Sequence, residues 1–189
     1  MADLTYTPKV YKKDGGDTLV VASGGTLIVE SGGTLQLDGG ASTTNTAVAA
    51  NGDTLAATKA LHAGRVVQFG KTSGTIVTLP AATGTGDVYT FVIGVTATSN
   101  ANIIKVANAT DVMDGSLVIQ QDTDSDGTVK GWRADAGDDT MTFAGAATTG
   151  GIVGGLVRCT DYKSGFWSCQ GWTQSGGGAE VTPFSATVS

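Results

Sequence analysis

Charge is scarce in this chain of 189 residues: Asp, Glu, Lys and Arg together make up 15% of it, well under the roughly 25% usual in soluble domains. Polarity comes instead from uncharged side chains, 29 threonines among them. The formal net charge is −6, and the densest positive spot is Tyr11-Lys12-Lys13-Asp14. Both argue against nucleic-acid binding, which needs clustered cations along the phosphate backbone. Histidine occurs once and cysteine twice. General acid–base catalysis would have to recruit His62, which has no serine or cysteine nucleophile motif near it and reads as a surface or capping residue. Two cysteines and that histidine fall short of a zinc site. No apolar run approaches the roughly eighteen residues of a membrane span. The opening residues, MADLTYTPKVYKKD, lack the apolar core of a signal peptide. The expectation is therefore a protein made in a cytoplasm, with no membrane partner, no cofactor and no enzymatic activity.

What is abundant is glycine, at 29 residues with only three prolines, alongside many β-branched residues. That composition favours an all-β fold. Residues 15–40 repeat a short phrase, with Thr-Leu at 18–19, 26–27 and 34–35 and glycine pairs at 15–16, 24–25, 32–33 and 39–40. The pattern predicts short strands joined by glycine turns. Within them, alternation puts Leu19 and Val21, Leu27 and Val29, and Leu35 and Leu37 on one face. Six aliphatic side chains bury too little to order a segment of this size alone. Either the repeat lies on the rest of its own chain as a meander, or copies from several chains wrap round one axis. The regular eight-residue spacing favours the second.

The chain divides into an N-terminal arm (1–14), the repeat (15–40), a small-residue linker (41–52) and a β domain (53–189). The stretch AATKALHAG, ended by Gly64, predicts a short helix. After it, nine strand-like runs from residue 65 to 172 recur about every ten residues between Gly, Asn and Asp. They predict an antiparallel β-sandwich or jelly roll.

Several local patterns carry possible chemistry. Asp122, Asp124, Asp126 and Gly127 match the start of a calcium loop. Arg133 stands where the bidentate glutamate belongs, so a solvated acidic hairpin turn is the stronger reading and no metal is assigned. Cys159 and Cys169 flank a turn. With Lys163-Ser164-Gly165 as a three-residue loop, Tyr162 faces Phe166 and the cysteines fall opposite each other. That pairing allows either buried thiols or a cross-strand disulfide. Asp138 and Asp139 are adjacent and cannot both face one side of a strand, which weakens a paired-carboxylate glycosidase reading. Gly84-Thr85-Gly86 lacks a phosphate-loop lysine and reads as a turn. Trp132, Tyr162, Phe166, Trp167 and Trp172 could form a sugar-stacking platform or could be packing residues.

The stretch TIVTLPAATGTGDVYTFVIGVTATSNANIIKVANATDVMDG (75–115) and the closing TPFSATVS resemble a β domain of virion structural proteins of tailed bacteriophages. The likeness covers roughly residues 58–189. Domains of this type occur in capsid decoration proteins, head fibres and tail-associated proteins. The resemblance implies a homotrimer on the capsid exterior, attached by its N-terminus and assembled in the host cytoplasm, without catalysis. On that basis Leu4, Tyr6, Val10 and Tyr11 of the arm would contact the major capsid protein. Leu19, Val21, Leu27, Val29, Leu35 and Leu37 would meet their copies across a threefold axis. The alternative is a tail-fibre or spike protein that recognises host glycans through the aromatic hairpin around Trp167.

Overall fold

Alternating apolar and polar residues need a partner surface for one face of every strand, and the two parts of this chain provide it differently. The computed structural model describes residues 10–12, 19–28, 47–121, 129–145, 148–177 and 180–188. They fall into two units, Met1–Thr43 and Thr44–Ser189. In the first, β1 (Val10–Lys12) pairs antiparallel with β2 (Leu19–Val21), Tyr11 opposite Val20. A tight turn follows β2, closed by the Gly25 amide donating to the Ala22 carbonyl at 2.8 Å with Gly24 at φ +75°. Part of the expected extended arm is thus a strand. Residues 26–28, the described part of the second copy of the repeat, are not a strand, and β2 takes its ladder partner from the arm. Leu4, Tyr6, Val29, Leu35 and Leu37 lie outside the described residues.

The second unit is an almost wholly β sandwich. From Val48 to Lys105 the chain changes sheet after every strand. β3 (Val48–Ala50), β5 (Val66–Phe69) and β7 (Val88–Ile93) lie side by side in one sheet. β4 (Thr54–Ala56), β6 (Ile76–Thr78) and β8 (Asn102–Lys105) lie in the other. Successive visits to one sheet then run in the same direction, so both sets of three are parallel. The corners of this coil stack by hydrogen bonding. Buried Thr75 donates its hydroxyl to Gly52 O at 2.8 Å and its amide to Asn102 Oδ1 at 3.1 Å. The single helical turn α1 (Lys59–His62) bridges β4 and β5, and Gly64 leaves it at φ +70°. His62 is buried, and its Nδ1 accepts the Thr58 amide at 2.9 Å.

The remaining strands are β9 (Val112–Gln121), β10 (Val129–Arg133), β11 (Thr140–Phe143), β12 (Leu156–Lys163), β13 (Phe166–Ser175) and β14 (Phe184–Ser185). The larger sheet has the order β10-β9-β13-β12-β7-β5-β3 and the smaller β14-β11-β8-β6-β4. The all-β sandwich forms, but its sheets are mixed where the strand spacing predicted antiparallel ones. Crossing between sheets makes the β3–β8 pairings parallel, and β9 and β13 also run parallel over ten residue pairs. The linker reading of 41–52 changes too, since Val48–Ala50 is the edge strand of the larger sheet. Short residues there suffice because that strand contributes little more than Ala50 to the core.

Tyr89, Phe91, Ile93, Met113, Leu117, Val157 and Trp167 of the larger sheet share one apolar core with Val77, Ile104, Met141 and Phe143 of the smaller. Trp167 meets Tyr89 edge-on, ring centroids 5.5 Å apart. The chain end is held by Asp139, whose carboxylate accepts the amides of Thr187 at 2.8 Å and Val188 at 3.0 Å.

Close approach of β9 and β13 depends on Gly115, at φ +119°, where an added Cβ would sit 2.0 Å from the Cys169 carbonyl oxygen. Gly115→Ala is expected to lower stability by about 3 kcal/mol or more, from left-handed strain and overpacking together. Gly131→Ala on neighbouring β10, where an added Cβ meets nothing within 4 Å, is expected to change it by less than about 0.5 kcal/mol. Urea unfolding of the two variants checks this; equal losses would contradict the assigned packing.

Candidate functional site

Residues of β13 alternate strictly between the two faces of the larger sheet. Trp167, Cys169, Thr173 and Ser175 are buried, while Gln170, Trp172 and Gln174 are exposed. The exposed residues align with their neighbours into cross-strand rows. One row reads Val118 on β9, Trp172 on β13, Leu156 on β12 and Val92 on β7. Two residues along the strands, the next reads Arg133, Ser116, Gln170, Arg158 and Thr90, from β10 across to β7. An apolar row thus runs beside a row of guanidinium, hydroxyl and amide groups, about 7 Å away from it.

Trp172, at 60% exposure, stands between two grooves on this face. The larger, about 540 Å³, is lined by Thr90, Ser116, Leu156, Arg158, Gln170 and Trp172 among others. The smaller, about 220 Å³, lies on the other side of Trp172 and Val118 and is lined by Gln120, Val129, Val153 and Gln174. Among the described residues the ion pairs engage Lys59, Lys71 and Lys130, and neither Arg158 nor Arg133 has an acidic partner.

The five aromatics singled out in the sequence do not form one platform. Trp167 is 1% exposed and belongs to the core, because the two-residue period sends it to the opposite face from Trp172. Trp132 packs against the core edge from β10. Tyr162 and Phe166 make a separate tilted pair with centroids 6.3 Å apart. Tyr162 donates to Asp114 at 2.5 Å, and this bond, more than burial, raises its pKa above the ordinary value.

The structure pairs Cys159 with Cys169 through a turn other than the three-residue loop. Ser164 and Gly165 form the loop, Lys163 faces Phe166, and a bulge between Asp161 and Lys163 restores the register. The cysteines are buried free thiols with sulfurs 3.1 Å apart, and burial pushes the Cys169 thiol well above its ordinary pKa. Asp122, Asp124, Asp126 and Gly127 lie outside the described residues; Arg133 is on β10. Asp139 and Asp138 have separate structural roles, since Asp138 accepts the Asp135 amide at 2.8 Å.

Asp161 is an anion site that the sequence pattern missed. Its buried carboxylate accepts the amides of Thr83 at 3.1 Å, Gly84 at 2.6 Å and Thr85 at 3.3 Å, and both threonine hydroxyls. The segment Thr83-Gly84-Thr85 cradles an anion, but that anion is the protein's own side chain, while the Gly86 amide donates to the Asp161 carbonyl at 2.7 Å. Burial opposes ionisation of Asp161, and the amide and hydroxyl donors outweigh it, so its pKa lies below the ordinary 3.8.

No protein-family model, no curated protein and no solved structure matches the chain.

Since the folded carboxyl of Asp161 titrates lower than the unfolded one, its stabilisation is complete above the unfolded pKa and is lost as pH falls through the folded value. Asp161→Asn is expected to cost about 2–3 kcal/mol at neutral pH through weakened charge-assisted hydrogen bonds. The gap between wild type and variant should narrow below about pH 4. Chemical denaturation across pH checks this; a gap independent of pH would contradict it.

Proposed function

We propose that this chain is a structural protein of a tailed-bacteriophage virion, a homotrimeric capsid decoration or head-fibre protein that binds the major capsid protein. The observation that carries the reading is the apolar exposure of the first unit. Leu19 is 55% exposed, Val21 41%, Leu27 53% and Ile28 76%. Leu19 and Val21 lie on the face assigned to contacts between copies, with half-buried Val20 on the other. A two-stranded ribbon of three residues per strand is too small to be stable alone in water, and its bare aliphatic face is what a threefold stalk would cover.

The mechanism is mechanical. Three arms carried on one trimer attach with avidity, so that weak contacts through Leu4 and Tyr6 hold neighbouring capsomers together. The resemblance of residues 75–115 and of the closing TPFSATVS to virion proteins gives the reading its class. A second reading, a tail-fibre or spike protein that binds host glycans, is favoured by exposed Trp172, with the contact moved from Trp167 to the sheet face.

Because β1 pairs with β2, the informative truncation stops short of Val10. Removing residues 1–9 is expected to abolish co-sedimentation with capsids built from the major capsid protein, while the mass in solution stays that of a trimer. Undiminished co-sedimentation would contradict the attachment role.

A further inference from the structure

The outer face of the larger sheet combines three features that few ligand classes satisfy together. Trp172 presents an exposed aromatic face flanked by Val118 and Leu156 in the same row. The adjacent row supplies hydroxyl, amide and guanidinium groups from Ser116, Gln170, Arg158 and Thr90, which line the same groove. With strands about 4.8 Å apart, the row from Arg133 to Thr90 extends about 19 Å. Arg158 and Arg133 have no acidic partner among the described residues, in a chain with 17 acidic and 11 basic residues.

We propose that the groove beside Trp172 binds an acidic oligosaccharide, one carrying carboxylate groups on its sugar rings. The C–H face of a pyranose stacks on the indole. Gln170, Ser116 and Thr90 exchange hydrogen bonds with ring hydroxyls, and Arg158 takes a carboxylate in a charge-assisted pair. The groove is open along the sheet, which suits a chain of sugars and leaves a small apolar ligand largely uncovered. Nucleic acid would demand more cations than two arginines in an acidic protein supply. A second copy of this chain would cover the apolar row and would bring a net negative surface, but would leave the row of hydroxyl and amide groups needing matched partners. The site lies within the second unit and does not rest on the virion assignment.

Titration calorimetry of the full chain with an oligogalacturonate, and with a maltooligosaccharide as the neutral counterpart, tests the proposal. The acidic sugar is expected to bind with tryptophan fluorescence change, and about tenfold more tightly than the neutral one. Trp172→Ala is expected to abolish binding of both. Arg158→Gln should remove the preference for the acidic sugar, while melting temperatures of both variants stay near that of the wild type, since both side chains are exposed. Failure of both sugars to bind at about millimolar concentration would overturn the proposal, as would binding that survives Trp172→Ala. A smaller solution mass for Trp172→Ala, with no saccharide binding by the wild type, would assign this face to contact between copies instead.

Discussion

Each strand of this protein must cover one of its two faces, and that requirement organises both units. In the sandwich, the ten-residue ladder between β9 and β13 fixes which side chains point inward. Trp167, Met113 and Leu117 enter the core from it, and Trp172, Val118 and Ser116 are left outside. Glycine makes the ladder close. At Gly115 a side chain would collide with β13, and across the neighbouring β12–β13 ladder an added Cβ at Gly171 would sit 2.2 Å from the Leu156 carbonyl oxygen. A slip by one residue would exchange Trp167 with its half-buried neighbours Phe166 or Ser168 and empty the centre of the core.

Polar groups buried in the sandwich act as pins between segments distant in sequence. Asp161 on β12 gathers the turn at residues 83–85, Asp139 holds the chain end, and Thr75 with Asn102 stacks the corners of the parallel coil. Each lies beside an apolar layer and offsets its burial by hydrogen bonding. These carboxylates serve architecture, while Trp172 and the polar row beside it lie on the outer face of the larger sheet.

Much of the fold was legible in the sequence. The nine strand-like runs after residue 65 correspond to β5 through β13, and the helix ending at Gly64 is present. Alternation within a strand is local and survives folding. Which sheet a strand joins is not local, and so the parallel coil of β3 to β8 left no mark in the spacing. The edge strand Val48–Ala50 was hidden for a similar reason, since its small residues resemble a linker. The cysteine register depended on the sum of loop and bulge, which is why a different turn led to the same pairing. The Asp161 site joins residues 76 to 78 positions apart, and no motif connects them. Trp167 and Trp172 were both visible as aromatics, but only the ladder separates the core residue from the exposed one.

In the first unit the described residues form only a short two-stranded ribbon. β1 and β2 satisfy each other's backbone groups, while Leu19, Val21, Leu27 and Ile28 remain bare. Burying such side chains between copies would supply the hydrophobic stabilisation that a short ribbon lacks. The most direct measurement is solution mass by light scattering, for the full chain and for a chain beginning after Thr43, where the second unit starts. Covering of the apolar face by other copies predicts a trimer for the full chain and a folded monomer for the shortened one. A full chain that is monomeric would contradict it.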